Sequence, residues 1–241
     1  MDWNWQVIFD SIPDLLSGAV LTVQLVVISG VVGLLLGLIL ALLRLSKNWL
    51  VQILPFLYIF FFRGTPLLVQ IFLIYYGLGQ FEAVRESFLW EPVLSQAYWC
   101  AIIAFTLNTS AYLAEIIRGA IQTIPVGELE AADAVGMSKW QKLTRITLPR
   151  AFGIVVPAYS NEVIFMLKGS ALASTIALMD ITGVARTISA RTYTLMELFF
   201  AAGIVYLLLS WVILFSFGRF EKRMNRHASY VPPDVMTNTI P

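Results

Sequence analysis

The 241-residue chain has one cysteine, Cys100, and one histidine, His227. A single cysteine excludes an internal disulfide, and its apolar surroundings read as those of a small buried hydrophobe. One histidine in a polar tail and one isolated cysteine supply neither a metal-ligand set nor a nucleophile–base pair. Charge is scarce as well: Asp, Glu, Lys and Arg make up 13% of the residues, against roughly 25% in soluble domains. A net charge of +1 gives no electrostatic footprint for a nucleic acid. No G-x4-G-K-[ST] run occurs, so the usual phosphate-binding loop is missing. No self-similar halves are visible, which removes the internal repeat common in secondary transporters. The N-terminus is acidic, with Asp2, Asp10 and Asp14, and no Lys or Arg precedes the first apolar run, so no cleavable leader is expected.

What the chain does have is long apolar runs. Hydrophobic residues make up 59%, and mean hydropathy is +0.79. A spanning helix needs about 20 mostly apolar residues. Five candidates follow, at about 19–43, 54–78, 95–117, 151–167 and 198–217. The second is interrupted by Arg63-Gly64-Thr65-Pro66. The stretch 170–195 is too short in its apolar part to span and reads as a re-entrant or surface helix. The expected fold is an all-α integral membrane protein with five transmembrane helices.

Lys and Arg in short loops set orientation. Arg44 and Lys47 close the first span. Arg118, Lys139, Lys142, Arg145 and Arg150 fall between the third and fourth, and Arg219, Lys222, Arg223 and Arg226 follow the fifth. These groups share one side, so the chain is expected to run N-out/C-in. Lys168, Arg186 and Arg191 run against this pattern. Residues 1–18, with Trp3 and Trp5, read as an interfacial segment on the outer face, because Trp favours the headgroup region. Residues 19–220 form the membrane domain, and 221–241, with Pro232 and Pro233, form a cytoplasmic tail.

Between the third and fourth spans lies a polar loop, about 127–149, with its own structural signals. Glu128, Glu130 and Asp133 suit the first turns of a short helix. Gly136 can take the left-handed conformation that ends it. Ser138 with Gln141 forms a capping box for a second helix, and Pro149 stops that helix or begins the next span. Gly127 is expected to open the loop. Ala131 and Ala132 are expected to keep one side thin for a partner surface.

The spacing from Glu130-Ala131-Ala132 to Gly136, then Ile146-x-Leu148-Pro149, resembles the loop by which ATP-binding cassette importer permeases engage their ATPase. Further stretches are similar to permeases for polar amino acids, especially histidine, lysine, arginine and ornithine. They are Arg63-Gly64-Thr65-Pro66-Leu67-Leu68-Val69-Gln70, Leu107-Asn108-Thr109-Ser110-Ala111-Tyr112, Tyr159-Ser160-Asn161-Glu162-Val163 and Met179-Asp180-Ile181-Thr182-Gly183. The resemblance implies a type I importer permease fold in the bacterial inner membrane. It implies a second permease chain, homologous or identical, two ATPase subunits and a periplasmic binding protein. It implies no cofactor in this chain, ATP and magnesium being held by the ATPase. Many relatives carry an acid where Gly169 stands here.

Ionisable groups inside a span are costly and point to function. Glu162 lies roughly 17 Å into the fourth span at about 1.5 Å per residue, preceded by the polar Ser160 and Asn161. It either holds the cationic end of an amino acid or pairs with another helix or a sister subunit. Arg63 could hold a substrate carboxylate bidentately, or pair with Glu162, or cap a broken helix. Asn108 and Tyr112 could line the path or tie helices together, and Ser110 reads as a helix tie. Glu115 and Arg118, three residues apart, read as an intrahelical pair. Lys168 is expected to reach water from the outer end of its helix.

The leading reading is an ATP-driven importer subunit for a basic amino acid, not itself an enzyme. The alternatives are a permease for neutral or acidic amino acids such as glutamine, or a secondary transporter.

Overall fold

The computed structural model describes residues 3–224, and within them every regular element is helical. His227, Arg226 and the rest of the expected tail lie outside the described residues.

Helix α1, Trp5–Arg44, runs unbroken for 40 residues. The outer segment expected at 1–18 is therefore continuous with the first span. Pro13 falls inside α1 without ending it. Three of its glycines, Gly18, Gly33 and Gly37, let neighbouring backbones come close. A Cβ on Gly37 would lie 2.8 Å from Leu113 Cβ and 3.0 Å from the Ser110 carbonyl oxygen. This is how α1 packs along α5, Ala97–Gln122.

Helix α2, Trp49–Gly64, starts where Asn48 accepts from the Leu50 N–H at 3.0 Å. Thr65 is extended, at φ −116° and ψ 145°, as the residue before a proline must often be. The chain restarts as α3, Leu67–Phe72, and winds on to Gln80 through a π turn and a 3-10 turn. The two segments meet at a bend of 108°, so the second expected span is sharply broken at the Arg-Gly-Thr-Pro interruption. A one-turn helix, α4 (Glu82–Arg85), leads toward α5.

Beyond α5 come α6, Val126–Ala134, and α7, Lys139–Lys142. A π segment, Leu143–Thr147, carries α7 without interruption into α8, Leu148–Gly169. Pro149 stops nothing: it sits at the start of α8, directly after the wider π winding of Leu143–Thr147, within one continuous rod. A 3-10 stretch, Ser170–Ile176, then precedes α9, Ile181–Thr192, bent 49° from the preceding rod. This is the short packed helix expected in 170–195. The last helix, α10, spans Leu195–Met224.

Among the described residues, three helices are long and apolar enough to cross a membrane, or up to five if each bent pair counts as one crossing. The main core lies among α1, α5, α8 and the α3 turn, around Leu25, Ile71, Phe105, Met166 and Leu167. A second cluster, with Leu15, Ile181 and Leu198, joins the start of α1 to α9 and α10.

Candidate functional site

The break between α2 and α3 shapes the interior. Gln70 is 2% exposed and donates from its side-chain nitrogen to the Phe62 carbonyl (2.9 Å), the Thr65 carbonyl (3.0 Å) and Thr65 Oγ1 (2.8 Å). Asn108 donates to Gln70 Oε1 at 3.0 Å. Backbone groups freed by the break are thus satisfied inside the apolar bundle, as they must be away from water. Asn108 ties the break to α5, one of the two alternatives the sequence left open, and it also lines a cavity. The sequence assigns Gln70 no role of its own. Its signal was its position four residues after a proline in an apolar run.

Two cavities flank α5. One, of about 360 Å³, is lined by Asn108, Tyr112 and Glu162, with Phe105, Phe165 and Met166 as apolar walls. The other, of about 410 Å³, is lined by Arg44, Arg63, Tyr112 and Glu115 against Phe56 and Phe60. Tyr112 is the one residue common to both linings. The Arg63 guanidinium carbon lies 5.3 Å from the centre of the Tyr112 ring, within the range of a cation–π contact.

Glu162 forms no ion pair among the described residues, and neither does Arg63. The two do not pair with each other, so that sequence alternative is not realised within this chain. Asn161 is exposed beside Glu162 and does not line the cavity. Ser110 ties helices, its hydroxyl lying 2.6 Å from that of Tyr58 on α2. Glu115 and Arg118 form the expected pair at 2.6 Å, and Arg44 Nε approaches Glu115 at 3.9 Å.

The polar loop folds as two short helices about a glycine turn, an elbow. Gly136 has φ +76°, and its N–H donates to the Asp133 carbonyl at 2.9 Å. Both arms of the Ser138–Gln141 capping box are present, at 2.8 and 3.2 Å. Lys142 bridges the elbow to Asp133 at 2.5 Å, and Arg150 is paired with Glu128. That carboxylate holds the Arg150 guanidinium above its ordinary range by hydrogen bonding. Gly127 lies inside α6 rather than ahead of it, since the helix already starts at Val126.

Glu130, Ala131, Gly136 and Pro149 are exposed, and Ile146 and Leu148 are half-buried. Ala132 is 3% exposed, so it faces the protein's own body and not the open side of the elbow. The exposed surface carries larger apolar groups that sequence reading passed over: Val126 (67% exposed), Val135 (75%) and Trp140 (71%). None belongs to an apolar repeat, so no periodicity announced them.

A bundle with a broken helix, charged cavities open along its side and an apolar-tipped polar elbow has the form of a transport permease. Residues 33–226 match the family described as binding-protein-dependent transport system inner membrane component, and the chain belongs to it. It is 46% identical over 225 residues to the octopine transport system permease protein OccM of Rhizobium radiobacter, covering 91% of each chain. It is 41% identical to the histidine/lysine/arginine/ornithine transport system permease protein HisM of Escherichia coli K12, covering 88% of this chain and 89% of that one. Among solved structures it matches an amino acid ABC transporter with histidines at TM-score 0.82 and 33% identity, over 92% of this chain and all of that one. The chain is thus an all-α, multi-pass inner-membrane permease of the ABC importer class and not an enzyme.

Proposed function

We propose that the chain imports a basic amino acid, or a derivative of one, by binding its cationic end at Glu162 and its carboxylate at Arg63. The carrying observation is that these two unpaired, opposite charges line adjoining cavities that share Tyr112. Relatives are named for octopine, for nopaline and for histidine, lysine, arginine and ornithine transport, which supports a basic solute over glutamine.

The elbow faces the cytoplasm in this reading, and the chain crosses the membrane five times, N-out/C-in. The basic residues gathered near the elbow support this. Helix α1, at about 1.5 Å per residue, is about 60 Å long and exceeds a hydrocarbon core of about 30 Å. Its first turns, within 1–18, project on the outer side. Membrane domain 19–220 is followed by the cytoplasmic tail 221–241.

The partners are a homologous permease or a second copy, two ATPase subunits and a periplasmic binding protein. Residues 127–149 form the docking loop, with Glu130, Ala131, Gly136, Ile146, Leu148 and Pro149 at or near its open surface and Ala132 beneath. Because α7, the π segment and α8 form one rod, ATPase movement at the elbow reaches Glu162 through continuous helix.

Uptake assays on the reconstituted complex test the reading. Glu162→Gln should cut arginine uptake about tenfold or more, the scale of a charge-assisted bond of about 1.5–3 kcal/mol, and more than it cuts glutamine uptake. Equal losses for both solutes would remove Glu162 from cation recognition.

A further inference from the structure

The cavity on the elbow side of Tyr112 has charges that fold stability alone does not use. Along α5, Asn108 and Tyr112 line the first cavity, and Tyr112 and Glu115 line the second. The seven residues from 108 to 115 rise about 10 Å, so the cavities lie in series and the second is nearer the elbow. Glu115 is the one acid in the second, and Arg118 already holds it through Nε at 3.1 Å and Nη2 at 2.6 Å. Arg44 and Arg63 therefore face the space without a full counter-charge.

Arg63 has no ion pair among the described residues, and Arg44 has only the 3.9 Å approach of its Nε to Glu115. That Nε is buried with no hydrogen-bond partner, and Arg44 Nη1 reaches only Gln52 Oε1, at 3.5 Å. Its guanidinium carbon lies 5.0 Å from the centre of the Phe56 ring. A guanidinium offers five donors, and most of these are idle. An apolar-walled space with two under-used guanidiniums suits a carboxylate.

We propose that this second cavity is a release chamber, in which Arg44 takes the solute carboxylate from Arg63, and that the Tyr112 ring is the partition between the two chambers. The inference rests on the reading of Arg63 as a carboxylate holder. Arg63 props the ring through its cation–π contact. A carboxylate arriving at Arg63 offers a stronger, charge-assisted interaction, draws the guanidinium off the ring and frees Tyr112 to swing. Arg44, at the end of α1 nearer the elbow, is the next cation on the way out.

The test uses the full complex in vesicles, with L-arginine and L-glutamine as probes, measuring external half-saturation and half-inhibition by luminal solute. Arg44→Gln should raise the luminal constant relative to the external one by about tenfold, the loss of one charge-assisted bond. Arg44→Lys should fall between, keeping the charge without the fork. Tyr112→Ala should let labelled solute exchange without ATP, and Tyr112→Phe should not. An unchanged ratio in both Arg44 variants overturns the chamber. So does a ratio that changes only in vesicles containing anionic lipid, since a headgroup phosphate then occupies the site. Every amino acid carries the carboxylate, so the two readings fail separately. Glutamine import with an Arg44 effect, and no arginine import, sinks the basic-solute reading and keeps the chamber. Arginine import without an Arg44 effect does the reverse.

Discussion

Gln70 and Asn108 meet at 3.0 Å across the break between α2 and α3, and the same Gln70 side chain donates to the Phe62 and Thr65 carbonyls. One buried amide therefore closes a 108° bend and anchors it to the helix that lines both cavities. Gln70→Leu strands the Thr65 carbonyl and takes one of two acceptors from the Asn108 amide, which keeps a 3.3 Å bond to the Phe62 carbonyl, at about 1–3 kcal/mol for each buried unsatisfied group. We expect a loss of about 2–4 kcal/mol, read as a lower unfolding midpoint in detergent. Asn108→Leu should cost less, and the double variant less than the sum, since the two share one bond. Additive losses would mean that the pair does not act as a unit.

Gly136 holds φ +76° in open space, with no atom close to where a Cβ would stand. Its requirement is backbone conformation alone, worth about 1–2 kcal/mol for an L-residue in the left-handed region. Gly136→Ala should weaken ATPase association in a pull-down while leaving membrane insertion intact. Gly136→Asn, better tolerated there, should be milder. Wild-type association in the alanine variant would remove the turn from the docking surface.

The legible parts of this molecule were those with local signals. Ser138 and Gln141 announced their capping box, Gly136 its turn, Glu115 and Arg118 their pair, and Thr65-Pro66 the break. Long-range relations left no such mark. Nothing near Gly18 indicates that Asp180, 162 positions later in the chain, packs on it, or that Tyr206 donates to Asp180 Oδ2 at 3.1 Å. The Gly33-x3-Gly37 spacing was a readable sign of close helix packing, though not of its partner. Tyr112 as a shared wall depends on where α2 lands after Asn48, and no sequence period encodes that. Ala132 was misread because an alanine suits a thin exposed side and a tight buried one equally.

Gly18 shows what that long-range packing demands. A Cβ there would lie 2.9 Å from the Asp180 carbonyl carbon, a backbone atom that cannot rotate away. Asp180 caps α9 by accepting from Thr182 N (3.2 Å) and Gly183 N (3.0 Å), so displacing it loosens the cap as well. Gly18→Ala should cost about 1–3 kcal/mol, the usual range for overpacking, and lower the unfolding midpoint. Gly203→Ala, with nothing nearby to meet its Cβ, is the control. Equal stability of the two variants would mean that α1 and α9 shift freely past each other.

The rod from Lys139 to Gly169 allows docking to be separated from transmission. In the proposed docking, variants at Gly136 alter the surface offered to the ATPase. A softened π segment leaves the glycine turn and the exposed apolar groups of the elbow alone but interrupts the path to Glu162. Replacing Thr144 and Arg145 by glycine removes the Thr144 hydroxyl bond to the Trp140 carbonyl, at 2.8 Å. It also weakens the helix by about 1 kcal/mol per substitution. The ATPase should still bind and hydrolyse ATP when the loaded binding protein docks, but solute imported per ATP should fall several-fold. Measured together in vesicles, hydrolysis and uptake should part company in this variant and fall together in Gly136→Ala. If they stay in fixed proportion in both, the force reaches the cavities by another helix, and α5, joined to α6 at Thr123, is the one left to carry it.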